Sequence, residues 1–168
     1  MEYGLLLLRL VVGLAFTAHG TQKVFGWFKG DGPAGTAGFF ASLGYRAPAL
    51  MAVVAGLAEV GGGLLFASGL MTPLAALALA TVTLNAIVIV KWSQGFLSGY
   101  ELEATYLTVA IALAAIGPGR LSLDRAIGWD DNITGIAWGS VVLVGAIVIA
   151  VVTTTLGRAR ADTGEMAA

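Results

Sequence analysis

The sequence predicts an all-α polytopic membrane protein, with a four-helix transmembrane bundle, a fifth C-terminal transmembrane helix and a short interfacial helix in the first loop. Of its 168 residues, 58% are hydrophobic and 11% are charged, whereas soluble domains carry roughly 25% charged residues. Five apolar stretches approach the roughly 20 residues that a helix needs to cross the hydrocarbon. Because backbone groups in lipid must be hydrogen-bonded within the chain, these stretches are expected to be helices rather than open strands.

The five spans are predicted at about 3–24, 48–70, 73–91, 102–117 and 133–156. The N-terminal MEYG lacks the basic residues of a signal peptide, so the first span is interpreted as a retained helix. Proline suits the first position of a helix, which places the start of the loop helix PAGTAGFFASLG at Pro33 and opens the third span at Pro73. We expect residues 1–130 to form the four-helix bundle, 131–157 the additional helix and 158–168 a disordered polar tail.

The five crossings divide the loops between two membrane faces. The N-terminus, turn 71–73 and segment 118–132 lie on one side, here called face A. Loops 25–47 and 91–101 and the C-terminal tail lie on the other side, face B. Basic residues favour the cytoplasmic side, and face B carries most of them, which predicts a cytoplasmic C-terminus and an outside N-terminus. They are Lys23, Lys29, Arg46, Lys91, Arg158 and Arg160, against Arg120 and Arg125 on face A.

Polar residues inside the spans are costly and need partners. Arg9 is expected either to snorkel towards face A or to form a buried ion pair or anion contact. Glu59 is in the middle of the second span, and its neighbours in AGLAEVGGG are small enough for another helix to approach closely. We expect Glu59 to point into the bundle, either clamped to Arg9 or acting as a proton carrier or ligand-binding group. Asn85 is expected to make a structural hydrogen bond between helices.

A polar cluster is predicted at the face B rim, where the first, third and fourth spans end or begin. His19 and Lys23 share a helix face because they are four residues apart. Glu101 and Glu103 are two apart, so only one of them is expected to face inward. The predicted cluster comprises His19, Gln22, Lys23, Lys91, Glu101 and Glu103.

The first loop is rich in aromatic residues. These residues have two interpretations, which do not exclude each other. One is an aromatic belt that anchors helices at the interface. The other is an aromatic lid over a polar pocket that opens towards the lipid headgroups. The residues are Phe25, Trp27, Phe28, Phe39, Phe40 and Tyr45.

Several kinds of site are disfavoured by composition. The chain has no cysteine and one histidine, which excludes disulfides and iron–sulfur ligation and makes a zinc site unexpected. Glu-x-x-His pairs, which hold di-iron centres in helical bundles, are missing. We therefore predict no metal. A formal charge of −1 without a basic tract gives no reason to expect nucleic acid as a partner.

Four segments together carry a family resemblance. They are RLVVGLAFTAHGTQKVFGWF, AEVGGGLLFASGLMTPLAALAL, QGF followed by GYE, and GPGRLSLDR. With these motifs the chain resembles the DoxX family of small bacterial membrane proteins over about residues 4–128. The family pattern usually has asparagine where this chain has Gln94. The resemblance implies a four-helix bundle, to which span 133–156 is an addition, and a bacterial cytoplasmic membrane location.

The resemblance also implies a candidate functional set. The family takes its name from subunits linked to quinone-coupled thiosulfate oxidation, and other members are associated with oxidative-stress defence. By analogy, the ligand-binding or proton-relay residues are His19, Gln22, Lys23, Glu59 and Glu101.

Three functions are weighed from the sequence. The first is a redox-linked membrane subunit that binds a quinone or another lipid-soluble ligand in a pocket at face B. In that function a soluble redox protein supplies electrons, because the chain lacks the ligands for an electron-transfer cofactor. The second is a scaffold that recruits soluble redox or oxidative-stress enzymes. The third is a small proton-coupled transporter with Glu59 as its carrier site, although five helices lack the inverted repeats of many transporters. Catalytic residues are not assigned, and a homo-oligomer stays open.

Overall fold

The computed structural model describes residues 1–159, and its long helices confirm the predicted all-α membrane architecture. The helices in chain order are α1 Glu2–Phe25, α2 Gly32–Ser42, α3 Pro48–Ser68, α4 Thr72–Asn85, α5 Glu101–Ile116, the single turn α6 Leu123–Ala126, and α7 Ile136–Thr155. A π-helical segment, Ala86–Lys91, and a 3-10 turn extend α4 to Gln94, and a second π-helical turn, Phe96–Tyr100, leads into α5. Five helical segments are long and apolar enough to cross a membrane.

The closest helix contact joins α1 to α3 through glycines. A Cβ atom placed on Gly63 would lie 2.5 Å from the carbonyl oxygen of Gly13 and 2.7 Å from the backbone nitrogen of Thr17. A Cβ atom on Gly20 would lie 2.6 Å from the backbone nitrogen of Val60. Small residues allow helix backbones to approach this closely in lipid, where packing rather than water exclusion drives association. The stripe of small residues on α3 therefore receives α1.

The remaining transmembrane helices complete one hydrophobic core. Phe16 of α1 packs edge-on against Tyr106 of α5, with ring centroids 5.2 Å apart. Phe66 of α3 and Leu79 of α4 are fully buried beside them. The fifth transmembrane helix, α7, contributes Val142 to the same core. Large apolar side chains on the outer faces of the helices are exposed, as expected for surfaces in contact with lipid.

Asp124 ties the loops of face A together. Its side chain is fully buried and accepts hydrogen bonds from the backbone nitrogens of Met71 at 2.7 Å and Thr72 at 3.0 Å, and from the Thr72 hydroxyl at 2.7 Å. Its own backbone nitrogen donates to the carbonyl of Gly69. Because the first N–H groups of a helix lack partners within the helix, this remote carboxylate caps α4.

Arg9 extends towards face A, as one of its two predicted alternatives requires, but it ends within the protein and not in water. Its side chain is 1% exposed, and it does not contact Glu59. Instead it donates to the backbone carbonyls of Pro118 and Leu121. The predicted Arg9–Glu59 clamp is wrong, because carbonyls beyond the end of α5 lie over Arg9, whereas Glu59 is about 12 Å deeper along the α1–α3 contact at 1.5 Å per residue.

The segment after α7 is fastened to the loop between α2 and α3. The backbone nitrogen of Arg46 donates to the carbonyl of Gly157 at 2.9 Å, and that of Ala159 donates to Gly44 at 2.8 Å. The Arg158 side chain donates to the carbonyl of Leu43 at 2.8 Å. Of the predicted disordered tail 158–168, Arg158 and Ala159 thus form backbone bridges, and residues 160–168 lie outside the described part of the chain.

Candidate functional site

A cavity of about 400 Å³ lies among α2, α3, α4 and α7. Ligand pockets in proteins measure roughly 300–1,000 Å³ and combine apolar walls with a few polar groups. Along α4 and its π-helical extension the lining runs from Leu74 to Val90, a length of about 24 Å at 1.5 Å per residue. An elongated apolar molecule therefore fits the cavity. Its polar lining residues are Lys23, Thr36, Tyr45, Glu59, Thr81, Asn85 and Thr153.

Lys23 and Glu59 form an ion pair in the wall of this cavity. The Lys23 ammonium donates to Oε1 of Glu59, whose side chain is 5% exposed. The contacts of Gly13 with Gly63 and of Gly20 with α3 place the Lys23 backbone about 9 Å nearer face B than Glu59. A lysine near a membrane face usually extends towards water. Here it extends inward, because the buried carboxylate attracts it.

Glu59 keeps one oxygen free. Its Oε2 is buried and has no hydrogen-bond partner among the described residues, and the same holds for the hydroxyl oxygen of Thr81. The close approach of Gly62 to Ala78 sets the register of the antiparallel helices α3 and α4. Glu59 precedes Gly62 by three residues and Thr81 follows Ala78 by three, so the two free groups lie at the same depth. Buried polar groups rarely lack partners. Both residues line the cavity, so its wall contains two unused hydrogen-bonding groups at one level.

Both the nitrogen and the oxygen of the Asn85 side-chain amide make hydrogen bonds within the protein. Its amide nitrogen donates to the Thr81 carbonyl at 2.9 Å, and its oxygen accepts from the Thr153 hydroxyl at 2.8 Å. Asn85 thereby links α4 to α7, the helix-to-helix bond expected for it. It lines the cavity, and both partners hold its amide in place.

His19 and Gln22 lie outside the cavity. His19 is exposed, and its Nδ1 is 3.1 Å from Oε1 of Gln22. The amide nitrogen of Gln22 donates to the carbonyl of Phe28 at 3.3 Å. Phe28 and Lys29 have positive φ angles of 51° and 62°, which non-glycine residues rarely adopt. The geometry gives Gln22 a structural contact that helps to hold this turn, with His19 beside it.

The predicted rim cluster is divided between two places. Lys23 turns to Glu59, whereas Lys91 pairs with Oε1 of Glu103 at 2.5 Å, and neither member of the second pair lines the cavity. Glu103 is the inward carboxylate and Glu101 is exposed, so Glu101, which the family analogy placed in the functional set, lies apart from the cavity. The π-helical turn before Glu101 sets the rotation of α5, and the sequence pattern does not signal it.

The aromatic residues of the first loop fall into two groups. Phe25, Trp27 and Phe28 are exposed, as a belt requires. The second group, Phe39, Phe40 and Tyr45, lines the cavity, as a lid requires, and the rings of Phe40 and Tyr45 pack edge-on at 5.2 Å. Burial raises the pKa of the Tyr45 phenol, and nearby Arg158 partly offsets this effect. Tyr45 is therefore neutral at physiological pH.

Two features of the site were missed by sequence reasoning. Thr81 and Thr153 were not singled out, because threonines in apolar helices usually bond to their own backbone, as Thr153 also does to Ala150. Lys23 was not paired with Glu59, because its position near face B favoured an outward side chain. The spacing of small residues on α1 and α3 could have provided the register that joins this pair.

Comparison with known proteins supports a family assignment. The sequence profile of the family described as DoxX matches residues 4–92. A Bacillus subtilis (strain 168) protein named "Putative oxidoreductase CatD" is 36% identical over 123 residues, which is 73% of this chain and 86% of that protein. The chain belongs to the DoxX family.

Two further relatives of this DoxX chain are named as membrane proteins. "Inner membrane protein YphA" of Escherichia coli (strain K12) is 34% identical over 129 residues, covering 72% of this chain and 88% of that protein. "Uncharacterized membrane protein Rv3486" of Mycobacterium tuberculosis is 33% identical over 133 residues, covering 71% and 78%. No solved structure matches the chain significantly. Arg9, Lys23 and Glu59 lie within the matched residues 4–92, whereas Asp124 and the carbonyls that Arg9 contacts lie beyond them.

Proposed function

We propose that this DoxX protein is a redox-linked membrane subunit that binds a quinone or another lipid-soluble ligand in the cavity between α3, α4 and α7. The observation that carries the proposal is the buried oxygen of Glu59, which has no partner among the described residues, in the wall of a predominantly apolar cavity of about 400 Å³. A buried polar atom without a partner costs about 1–3 kcal/mol. A bound head group would remove that cost.

Lys23 and Glu59 have complementary roles in this proposal. An ammonium carries three N–H donors, of which Lys23 uses one for Glu59, so a second is free for a ligand carbonyl. Glu59 is a proton acceptor at mid-membrane, where ionisable groups often serve proton relays. The redox part of the proposal is supported by the name of the relative called "Putative oxidoreductase CatD". Electrons would come from a soluble partner protein. His19, Gln22 and Glu101 then act outside the binding site.

Filling the cavity is expected to remove the ligand without unfolding the protein. Ala55 lines the cavity on α3, and Val53 on the same helix is exposed to lipid. In Ala55→Phe the added ring occupies ligand space, whereas Val53→Phe leaves the cavity open. Native mass spectrometry in nanodiscs should show a lipid-soluble compound on the wild type and on Val53→Phe, and at least tenfold less on Ala55→Phe. A wild type without any bound compound, also after addition of a quinone, would disprove the proposal.

We also propose that the protein lies in the cytoplasmic membrane with face B inside, on the charge distribution of the loops. The chain contains no cysteine, so single cysteines report topology without background. Ser93 is exposed in the face B turn and Asp131 in the face A loop. A membrane-impermeant maleimide added to intact cells should label Asp131→Cys and leave Ser93→Cys unlabelled until the membrane is opened. The reverse pattern would invert the orientation.

A further inference from the structure

We infer that the cavity selects an apolar molecule with a neutral hydroxyl head group, which donates to Oε2 of Glu59 and accepts from the hydroxyl of Thr81. This class includes alkylphenols, long-chain alcohols and quinols, and it disfavours fatty-acid anions and molecules that carry only acceptor groups. For the quinone couple of the proposed function, the cavity then prefers the reduced quinol over the oxidised quinone. The inference rests on the proposed function, since it names the ligand chemistry of the same cavity.

The first step concerns the acceptor. Oε1 of Glu59 is used by Lys23, and Oε2 is buried without a partner among the described residues. A carboxylate oxygen only accepts hydrogen bonds, so a ligand that satisfies it must bring a donor. A hydrogen bond to a charged acceptor is about twice as strong as one between neutral groups. A ligand that offers only a carbonyl or an ether oxygen would leave Oε2 unpartnered.

The second step concerns the donor. The Thr81 hydroxyl lies level with Glu59 across the α3–α4 contact and has no partner in the described part of the chain. A hydroxyl can donate one hydrogen bond and accept others. The Asn85 amide beside it already donates to the Thr81 carbonyl and accepts from the Thr153 hydroxyl, and these two bonds hold its amide away from the head group. A ligand O–H that donates to Glu59 can use its oxygen lone pair to accept from Thr81.

The third step concerns charge. Lys23 already neutralises Glu59, and the other polar residues that line the cavity are threonines, Asn85 and Tyr45. A carboxylic acid that enters as its anion would meet the free oxygen of Glu59 at low dielectric, where like charges repel strongly. A neutral head group avoids this repulsion. The alanines around this level, Ala55, Ala58 and Ala78, leave room beside it, and the mainly apolar lining, which extends about 24 Å along α4, accommodates a tail.

The test uses a redox-inert pair of probes that differ by one donor, 4-octylphenol and its methyl ether 4-octylanisole. Each is titrated at matched membrane mole fraction into nanodiscs that contain the full chain, and bound probe is counted by native mass spectrometry. The wild type should bind the phenol about tenfold or more tightly than the ether, the preference expected for a hydrogen bond to a charged group.

Variants test the ligand's hydrogen bonds to Glu59 and Thr81 separately, and a control variant accounts for nonspecific loss of binding. Glu59→Gln keeps the size of the side chain and should reduce the preference for the phenol to within about threefold, because the acceptor loses its charge. Thr81→Val should weaken phenol binding severalfold, whereas Thr108→Val, which removes a hydroxyl from the exposed face of α5, should not. Equal binding of both probes by the wild type would overturn the hydroxyl inference and leave the proposed function standing. Binding of neither probe, with no compound co-purified, would overturn both.

Discussion

Replacement of Gly63 by leucine is expected to destabilise the protein by about 3 kcal/mol or more, the largest effect of any single substitution proposed for it. The first added carbon alone would lie 2.5 Å from the Gly13 carbonyl oxygen and 2.7 Å from the Thr17 nitrogen. Both obstacles are backbone atoms, so no side chain can rotate away to make room. The helices α1 and α3 would have to separate, and the Lys23–Glu59 pair that bridges them would separate too.

Gly61 provides a matched control on the same helix. A Cβ atom on Gly61 meets nothing within 4 Å, so Gly61→Leu should change stability by no more than about 0.5 kcal/mol. Unfolding in a mixed-detergent titration, followed by loss of helical circular dichroism, measures both variants. If Gly63→Leu were as stable as Gly61→Leu, the close contact between α1 and α3 would not exist.

Replacement of Lys23 by methionine is expected to destabilise the protein by about 3 kcal/mol, because it leaves Glu59 buried without its counter-charge. Methionine fills a similar volume, so the effect reports charge rather than packing. Removal of both charges in Lys23→Met/Glu59→Met should restore most of the lost stability, since well-packed apolar residues often replace a buried ion pair without loss. The double-mutant cycle then gives the coupling energy directly.

An exposed ion pair serves as the reference for this cycle. Arg125 pairs with Asp130 at 2.9 Å on face A, with Arg125 48% exposed. Pairs in water contribute little because solvent and salt screen them, so Arg125→Met should leave the unfolding midpoint almost unchanged. Additive effects of Lys23→Met and Glu59→Met, with no recovery in the double variant, would contradict a direct interaction between the two side chains.

The length and hydropathy of the apolar stretches were enough to predict the five membrane helices, because the bilayer imposes both on the chain. The burial of Glu59 was also predictable, since glycines on its helix face admit a neighbour. Its partner was not predictable. Arg9 and Lys23 flank Glu59 on α1, about 12 Å and 9 Å away along the helix contact. Arg9 is held by the loop carbonyls of Pro118 and Leu121, which are distant in sequence. The turn of α5 towards Glu103 depends on a π-helical segment that no sequence pattern marks.

The order in which the cavity is assembled follows from the backbone bridges between 44–46 and 157–159. The loop that carries Tyr45 is made early in translation, yet its hydrogen-bonding partner follows α7, the last transmembrane helix within residues 1–159. Ile149 and Thr153 of α7 also form part of the wall. In a nascent chain that has inserted only its first four transmembrane segments, the cavity beside Lys23 and Glu59 therefore lacks its α7 wall. The wall of the cavity is complete only when α7 has entered the bilayer.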